Sequence, residues 1–381
     1  VATTHNISMS GGTDKLSFFT SFGYNSNPGI MENAGYNRYS FRSNVEAKIT
    51  SWLTLGMKLN GYLGKSDFGT DLVGSMFTYP GTPTMVLRHP DGRFGGEQAP
   101  EASKQMANPL AQLYQTDGEK KIRNFRSAFN GTITPFKGLT ISGSYSYELT
   151  DNENWSKPNH IDLWDFANNI VVLPDNRRSY ITNYNRKIEH MFMDGVIRYE
   201  NQFVDDRLDL NVMVGASQEM HRDYNHTATK YDWIDSSVDV INGATGDAEA
   251  SGSRTEWAMR SYFGRINLGW DDKYLLEVNL RADASSRFLK DNRWGYFPSF
   301  SAGWRMDQEA FMENARNWLD ALKLRVSYGE LGNNYLSNDY MAISKYAQSN
   351  YALGNQLQIG MAQTALANGA LTWESTAVTN A

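Results

Sequence analysis

The segment from Trp257 to Asp283 constrains the fold more than any other part of this sequence. Apolar and polar residues alternate along residues 273–283, and they do the same along residues 261–270. A repeat of two residues is typical of a β-strand with two different faces and excludes an amphipathic helix. Only Asp271 and Asp272 separate the two stretches, so the segment predicts a hairpin with a two-residue turn and arms of about ten residues.

The same pattern returns along most of the chain and predicts an all-β structure of about thirteen strands. The predicted strands cover residues 4–11, 15–24, 36–50, 53–63, 123–134, 138–150, 187–201, 206–220, 257–270, 273–283, 295–305, 320–329 and 371 onward. Short turns near residues 12, 51, 136, 204 and 271 alternate with longer loops, and only residues 306–319 are a long connection on the short-turn side. This asymmetry is typical of a transmembrane antiparallel β-barrel with short periplasmic turns and long extracellular loops.

Strand length separates this barrel from a soluble β-sandwich. Sandwich strands usually have five or six residues, whereas a strand needs about nine to eleven residues to cross a bilayer. Aromatic residues also gather near the short turns, as an interfacial girdle requires. These residues are Trp52, Phe136, Phe203, Trp270 and Tyr274. A half-solvated soluble sheet also has one polar face, so the sandwich stays open as the alternative.

Composition excludes several classes of protein. The formal net charge is −6 and the sequence contains no basic run that would neutralise phosphates, so we expect no nucleic-acid partner. There is no cysteine, which excludes disulfides and thiolate metal sites. A mean hydropathy of −0.54 does not decide between a soluble sheet and a barrel, because half of each barrel strand faces water.

Five stretches resemble the SusC-like TonB-dependent outer-membrane transporters of Bacteroidetes. They are the opening HNISMSGGTDKLSFFTSFGYNSNPGIMENAGYNRYSFRSNVEAKITSWLTLGMKLN, then RADASSRF, WGYFPSFSAGWRMDQEAFM, LKLRVSYGELGNN and LTWEST. These stretches follow the family order over nearly the whole chain. The long loops, at residues 65–121, 151–186, 221–253 and 333–370, do not share in the resemblance.

The resemblance implies a bacterial outer-membrane barrel of 22 strands. Residues 1–381 are then part of one barrel domain, roughly its first half, with the plug domain and the remaining strands absent from this sequence. The family implies import of oligosaccharides or peptides with a SusD-like surface lipoprotein, energy from the TonB complex through parts outside this sequence, contact with outer-membrane lipid, and no cofactor.

The sequence contains no recognisable catalytic machinery. HExxH, GxSxG, a phosphate-binding glycine loop and a cysteine nucleophile are all absent. His221 and His226 flank Asp223, a spacing that could place two ligands near one metal, but histidines in loops are commonly just solvated. The carboxylate pairs Asp151 with Glu153, and Asp162 with Asp165, imitate the carboxylate pair of a glycosidase, but acidic residues are common in loops. We therefore expect neither an enzyme nor a metal site.

Two sets of residues are candidates for functional or structural roles. A flat ring stacks on a sugar face while neighbouring polar groups bind its hydroxyls, so aromatic residues in the predicted extracellular loops are candidates for substrate binding. This set is Trp155, Trp164, Asp165, Tyr231 and Trp233. Two other roles account equally well for these aromatic residues: packing the loops together, and contact with the lipoprotein. The second set, Glu277, Asn279, Arg281 and Asp283, is predicted to face the barrel lumen and to order the wall through ion pairs.

A transporter is the leading functional hypothesis, and two others stay open. The first alternative is a barrel that transports nothing and serves as a surface adhesin or as a scaffold subunit of an outer-membrane assembly. The second is a secreted, β-rich glycosidase. A transporter stops working when the cell is de-energised, an adhesin still binds its partner, and a secreted enzyme is soluble without detergent.

Overall fold

The main sheet of this protein contains thirteen strands, all antiparallel to their neighbours and arranged in chain order. The computed structural model describes residues 1–68, 85–96, 108–315 and 317–381. The strands of the sheet are β1 (Thr3–Gly12), β2 (Leu16–Asn27), β3 (Tyr36–Lys48), β4 (Leu53–Ser66), β6 (Thr116–Ile133), β7 (Leu139–Pro158), β10 (Tyr180–Phe203), β11 (Leu208–Tyr231), β12 (Ala248–Trp270), β13 (Tyr274–Ser285), β14 (Trp294–Arg305), β15 (Lys323–Asn333) and β18 (Glu374–Asn380). The thirteen predicted strands correspond to the strands of this sheet, and the described residues contain five further short strands that were not predicted.

Short and long connections alternate around the sheet, as predicted. The longer connections carry small elements of their own. These are β5 (Phe94–Gly95), the helix α1 (Pro109–Gln112), β8 (Leu163–Asp165), β9 (Ile170–Leu173) and the separate hairpin of β16 (Lys345–Leu353) and β17 (Gln356–Ala365). Residues 306–322 remain the exception on the short-turn side and contain two 3-10 segments, Met306–Gln308 and Ala310–Ala315.

Several predicted boundaries were wrong. β7 continues to Pro158, β10 begins at Tyr180 and β11 continues to Tyr231, so much of the predicted loops 151–186 and 221–253 is strand. The turn between β12 and β13 has three residues rather than two, because Trp270 pairs directly with Tyr274. The sequence also predicts a short helix over residues 101–114; among the described residues only α1 forms there, and residues 101–107 lie outside them.

The apolar face of the sheet is exposed, which argues against a soluble sandwich. Phe22 is 62% exposed, Leu280 60%, Val214 53% and Phe300 49%. A sandwich would bury these rows between two sheets, whereas a barrel turns them toward lipid. On β7 this face is apolar over residues 139–149, which matches the nine to eleven residues, roughly, that cross a bilayer. Among the described residues, no helix is long and apolar enough to cross a membrane.

The outward face becomes charged where the strands continue past this apolar belt. Arg123 of β6 donates hydrogen bonds to Asp151 (3.1 Å) and Glu153 (2.6 Å) of β7. Lys187 and Glu189 of β10 form an ion pair of 3.0 Å. Because charged side chains are costly in hydrocarbon, the change from apolar to ionic rows marks the upper boundary of the lipid-facing surface.

The rim of short turns carries the predicted aromatic residues. Trp52, Phe136, Phe203, Trp270 and Tyr274 are all between 38% and 59% exposed and lie in the turns or at the strand ends beside them. Arg207 in one turn pairs with Asp271 in the next, with Nε 2.6 Å from Oδ1. Asp271 has a φ of 51°, a left-handed value that aspartate tolerates better than most residues.

Candidate functional site

The inner face of the curved sheet is polar and borders an open cavity. The cavity has a volume of about 1190 Å³ and lies near the short-turn rim. Side chains of six consecutive main-sheet strands, from β10 to β15, line it. One cavity can touch six neighbouring strands only on the concave side of a sheet, so these side chains face the lumen. They include Glu200, Asn211, Asn267, Glu277, Ser301 and Arg325.

The four residues predicted to order the lumen wall lie together on this inner face. Arg281 Nε donates to Asp283 Oδ2 at 2.8 Å, and Arg281 Nη2 donates to Ser261 Oγ on β12 at 3.1 Å. Asn279 donates to Glu277 Oε1 at 2.7 Å and accepts from Arg265 Nε at 2.6 Å. These contacts cross-link β12 with β13. The ordering role itself stays a prediction.

A second inner-face cluster lies higher on the wall and was missed by sequence reasoning. The imidazole of His221 stacks on Trp257 with ring centroids 5.6 Å apart, and the Arg287 guanidinium lies 4.5 Å from the centre of the Trp257 ring. His190 Nε2 is 2.7 Å from Glu219 Oε1. These residues belong to three neighbouring strands and the segment after β13. Only the register between strands brings them together, and the sequence does not reveal that register.

The geometry argues against the suggested metal site and against the carboxylate pair of Asp151 and Glu153. His221 and His226 are five residues apart on β11, so they point to opposite faces of the sheet. Among the described residues, no group of three or more potential ligands could hold a metal ion. Asp151 and Glu153 both pair with Arg123 rather than flanking an open cleft.

Two of the candidate binding residues, Trp164 and Asp165, lie in the small sheet of β5, β8 and β9. The Arg93 guanidinium is 4.4 Å from the centre of the Trp164 ring. Asp165 is 7% exposed, and its carboxylate accepts hydrogen bonds from the Asn168 amide group (2.7 Å) and from the backbone N–H groups of Ala167 and Asn168. Because these bonds favour the ionised form more than burial opposes it, the pKa of Asp165 lies below its ordinary value.

The other three candidates lie elsewhere. Trp155 is on β7 rather than in a loop and faces outward, with Lys157 Nζ 5.7 Å from its ring centre. Tyr231 is the last residue of β11 and stacks under Arg178 at 4.5 Å. Trp233 meets the His160 ring edge-on at 5.4 Å. The five residues therefore belong to separate clusters, and their role in substrate binding stays a prediction.

The exposed apolar belt, the polar concave wall and the alternating turns and loops together define an outer-membrane β-barrel. The chain belongs to the family described as TonB dependent receptor-like, beta-barrel, whose model matches residues 90–377. The predicted fold class and the predicted location in the bacterial outer membrane are confirmed. The proteins of this family are receptors and transporters rather than enzymes.

Curated relatives agree with the resemblance to SusC-like transporters. TonB-dependent receptor P26 of Formosa agariphila is 27% identical over 381 residues, which is 97% of this chain and 36% of that protein. TonB-dependent receptor SusC of Bacteroides thetaiotaomicron is 24% identical over 87% of this chain and 34% of that protein. The predicted resemblance is confirmed, and the chain spans about a third of the length of these relatives.

Solved structures share the fold. The structure of the RagAB peptide transporter matches 99% of this chain and 41% of its own chain, with a TM-score of 0.81 and 22% sequence identity. The ferric enterobactin receptor PfeA of Pseudomonas aeruginosa matches with a TM-score of 0.51 and 12% identity. At these identities the likeness concerns the fold alone.

Proposed function

We propose that this chain forms part of the wall of a TonB-dependent outer-membrane importer. The cargo is an oligosaccharide or a peptide, the partner is a SusD-like surface lipoprotein, and energy comes from the TonB complex. The observation that carries the proposal is the polar inner face. It continues from the strand extensions below the long loops, at His190 and His221, down to the cavity at the short-turn rim, at Glu200 and Asn211.

Three comparisons support this proposal. The family match gives TonB dependence, the relative from Bacteroides is named SusC, and the structural match at a TM-score of 0.81 is titled a peptide transporter. We further propose that residues 1–381 are part of a single barrel domain, with the plug and the remaining strands in other parts of a longer protein. The share of about a third of each relative supports this.

The first experiment isolates the native full-length protein from detergent-solubilised outer membrane and identifies what purifies with it by mass spectrometry. Recovery of a SusD-like lipoprotein with an oligosaccharide or peptide supports import. Uptake of the recovered cargo by energised cells must then stop when the proton gradient is collapsed. Recovery of an adhesion or secretion assembly without cargo would instead favour the surface scaffold.

The candidate binding residues are tested in the same system. Trp164→Ala and Trp233→Ala are expected to weaken cargo binding while the lipoprotein still purifies with the barrel, since a lost stacking contact removes affinity and not assembly. Trp318→Ala is the matched control, because Trp318 is 76% exposed in the connection between β14 and β15 at the opposite rim. Loss of the lipoprotein in either test variant would assign these rings to loop packing.

A further inference from the structure

Four cations face inward from β3, β4 and β6. Arg38 and Arg42 lie on β3, Lys58 on β4 and Arg126 on β6. Arg42 is paired with Asn60 in the sheet, and Asn60 is paired in turn with Arg126. Each of the four is on the face opposite to the exposed Phe41, Leu55 and Phe129, which face lipid. We call these four residues the cationic stripe.

The cationic stripe has no acidic partners among the described residues. No described carboxylate lies within ion-pair distance of any of its four side chains, although Glu46 and Glu148 share the inner face beside them. Glu148 is paired with Arg126 in the sheet, but its carboxylate accepts a hydrogen bond from Asn124 at 2.9 Å instead. Inward arginines on later strands differ, because Arg186 pairs with Asp223 at 2.5 Å and Arg281 pairs with Asp283 at 2.8 Å. The stripe is exposed to the lumen at all four positions.

Aromatic rings hold two of the stripe arginines in place. The Arg38 guanidinium lies 4.1 Å from the centre of the Tyr62 ring, and that of Arg42 lies 6.0 Å from the centre of the Phe19 ring. A guanidinium stacked on a ring keeps its edge N–H groups free to donate hydrogen bonds. Two of the four stripe residues, Arg38 and Arg42, therefore present oriented donors.

The stripe runs from the upper edge of the lipid-facing belt, at Arg38, into the belt, at Arg42, Arg126 and Lys58. Arg38 and Arg42 are four residues apart on β3, or about 13 Å, and Lys58 is level with Asn44, about 7 Å further toward the short-turn rim. Tyr39, Phe41 and Val45 face outward over the same stretch of β3. Ionisable side chains at membrane depth are costly, and those facing an aqueous interior characteristically mark the path of a substrate or ion.

We propose that the cationic stripe binds the negative groups of an anionic, extended oligomer during its passage through the barrel. This inference rests on the proposed function, since it names the chemical class of the cargo. The recognised chemistry is a carboxylate or sulfate group repeated along the oligomer at intervals of about 7 to 13 Å, which match the spacing of the stripe. Like charges along a low-dielectric wall also raise the local concentration of anions.

The test measures binding by isothermal titration calorimetry on the full-length protein with its lipoprotein in detergent. The probes are trigalacturonate with neutral maltotriose as its match, and an Asp-Gly repeat hexapeptide with an Asn-Gly repeat as its match. We expect one anionic probe to bind at least about tenfold more tightly than its neutral match, because a charge-assisted hydrogen bond is about twice as strong as a neutral one. A preference within the sugar pair indicates an oligosaccharide cargo, and a preference within the peptide pair indicates a peptide cargo.

Variants then assign the preference to the stripe. The double variant Arg42→Gln with Arg126→Gln is expected to lower affinity for the anionic probe about a hundredfold, roughly tenfold for each lost charged hydrogen bond, and to leave the neutral probe unchanged. Arg123→Gln is the matched control, because Arg123 lies on β6 three residues from Arg126 and faces outward. Heat-modifiable migration on gels confirms that each variant barrel is folded.

Three outcomes would overturn the inference: equal affinity for anionic and neutral probes, no binding of either anionic probe, or a double variant that loses its folded barrel while Arg123→Gln keeps it. The last result would mean that the stripe contacts another part of the protein. Failure of the proposed function looks different, because energised cells would then take up no cargo of any charge.

Discussion

Leu280 offers the sharpest test of which face of the sheet meets lipid. It is 60% exposed and lies six residues beyond Tyr274, which belongs to the aromatic rim. Six residues extend about 20 Å along the strand, or about 15 Å along the membrane normal at a tilt of about 40°. Since the apolar band is about 25 Å tall, Leu280 is close to its midplane. Replacing it with arginine is therefore expected to lower the free energy of unfolding by about 2 to 4 kcal/mol.

The control for Leu280→Arg is Ser301→Arg. Ser301 faces inward, lines the lumen cavity and is paired with Glu277 in the sheet, so an arginine there stays hydrated and gains an acidic neighbour. Guanidinium unfolding of the full-length protein in lipid vesicles, followed by tryptophan fluorescence, measures both variants. Equal losses of stability, or a larger loss for Ser301→Arg, would show that the two faces have been assigned the wrong way round.

Four further predictions concern the wall, the turns and the loops. Gly332→Ala is expected to cost about 1 to 3 kcal/mol in the same unfolding assay, because a Cβ there would overlap the Phe297 ring, which is only 8% exposed; unchanged stability would show that the ring moves freely. Arg207→Ala removes the link between two short turns and is expected to change stability by less than about 1 kcal/mol, since exposed ion pairs contribute little. The pKa of Asp175 is held well below its ordinary value of 3.8, because bonds from Arg177 and the backbone N–H of Ile161 outweigh burial. The stability that these bonds contribute is complete above pH 3.8 and is lost as the pH falls through the lower folded-state pKa. The rate of proteolysis within residues 159–179 should therefore be the same at pH 7 and at pH 5. Asp175→Asn should increase that proteolysis at pH 7, and an equal rate in both proteins would contradict the assigned role.

The sequence predicts the membrane-crossing part of this fold well, because there the two faces have different solvents. On β7 the alternation of apolar Leu139 and Ile141 with polar Thr140 and Ser142 follows from lipid on one side and water on the other. Beyond Leu149 both faces are polar, with Asp151 and Glu153 pointing outward, and the alternation disappears although the strand continues. That loss of contrast explains why the upper strands were predicted as loops.

The candidate sites are less predictable because they depend on pairing between distant segments. A shift of one residue in the register of β11 would turn His221 away from Trp257 and out of the lumen. The platform around Trp164 needs a parallel pairing of β5 with β8, across about seventy intervening residues. Residue type alone identified Trp164 and Trp233 as notable, but it did not show that Arg93 and His160 already contact their rings.

The length of β10 and β11 determines how far the barrel wall extends above the lipid. Each strand has 24 residues, which corresponds to about 80 Å along the strand and about 60 Å along the membrane normal. Subtracting the apolar band of about 25 Å leaves a wall that stands roughly 35 Å above the lipid. The loops are therefore held clear of the lipid headgroups. An antibody against Trp233 or its neighbours would therefore bind without touching the bilayer.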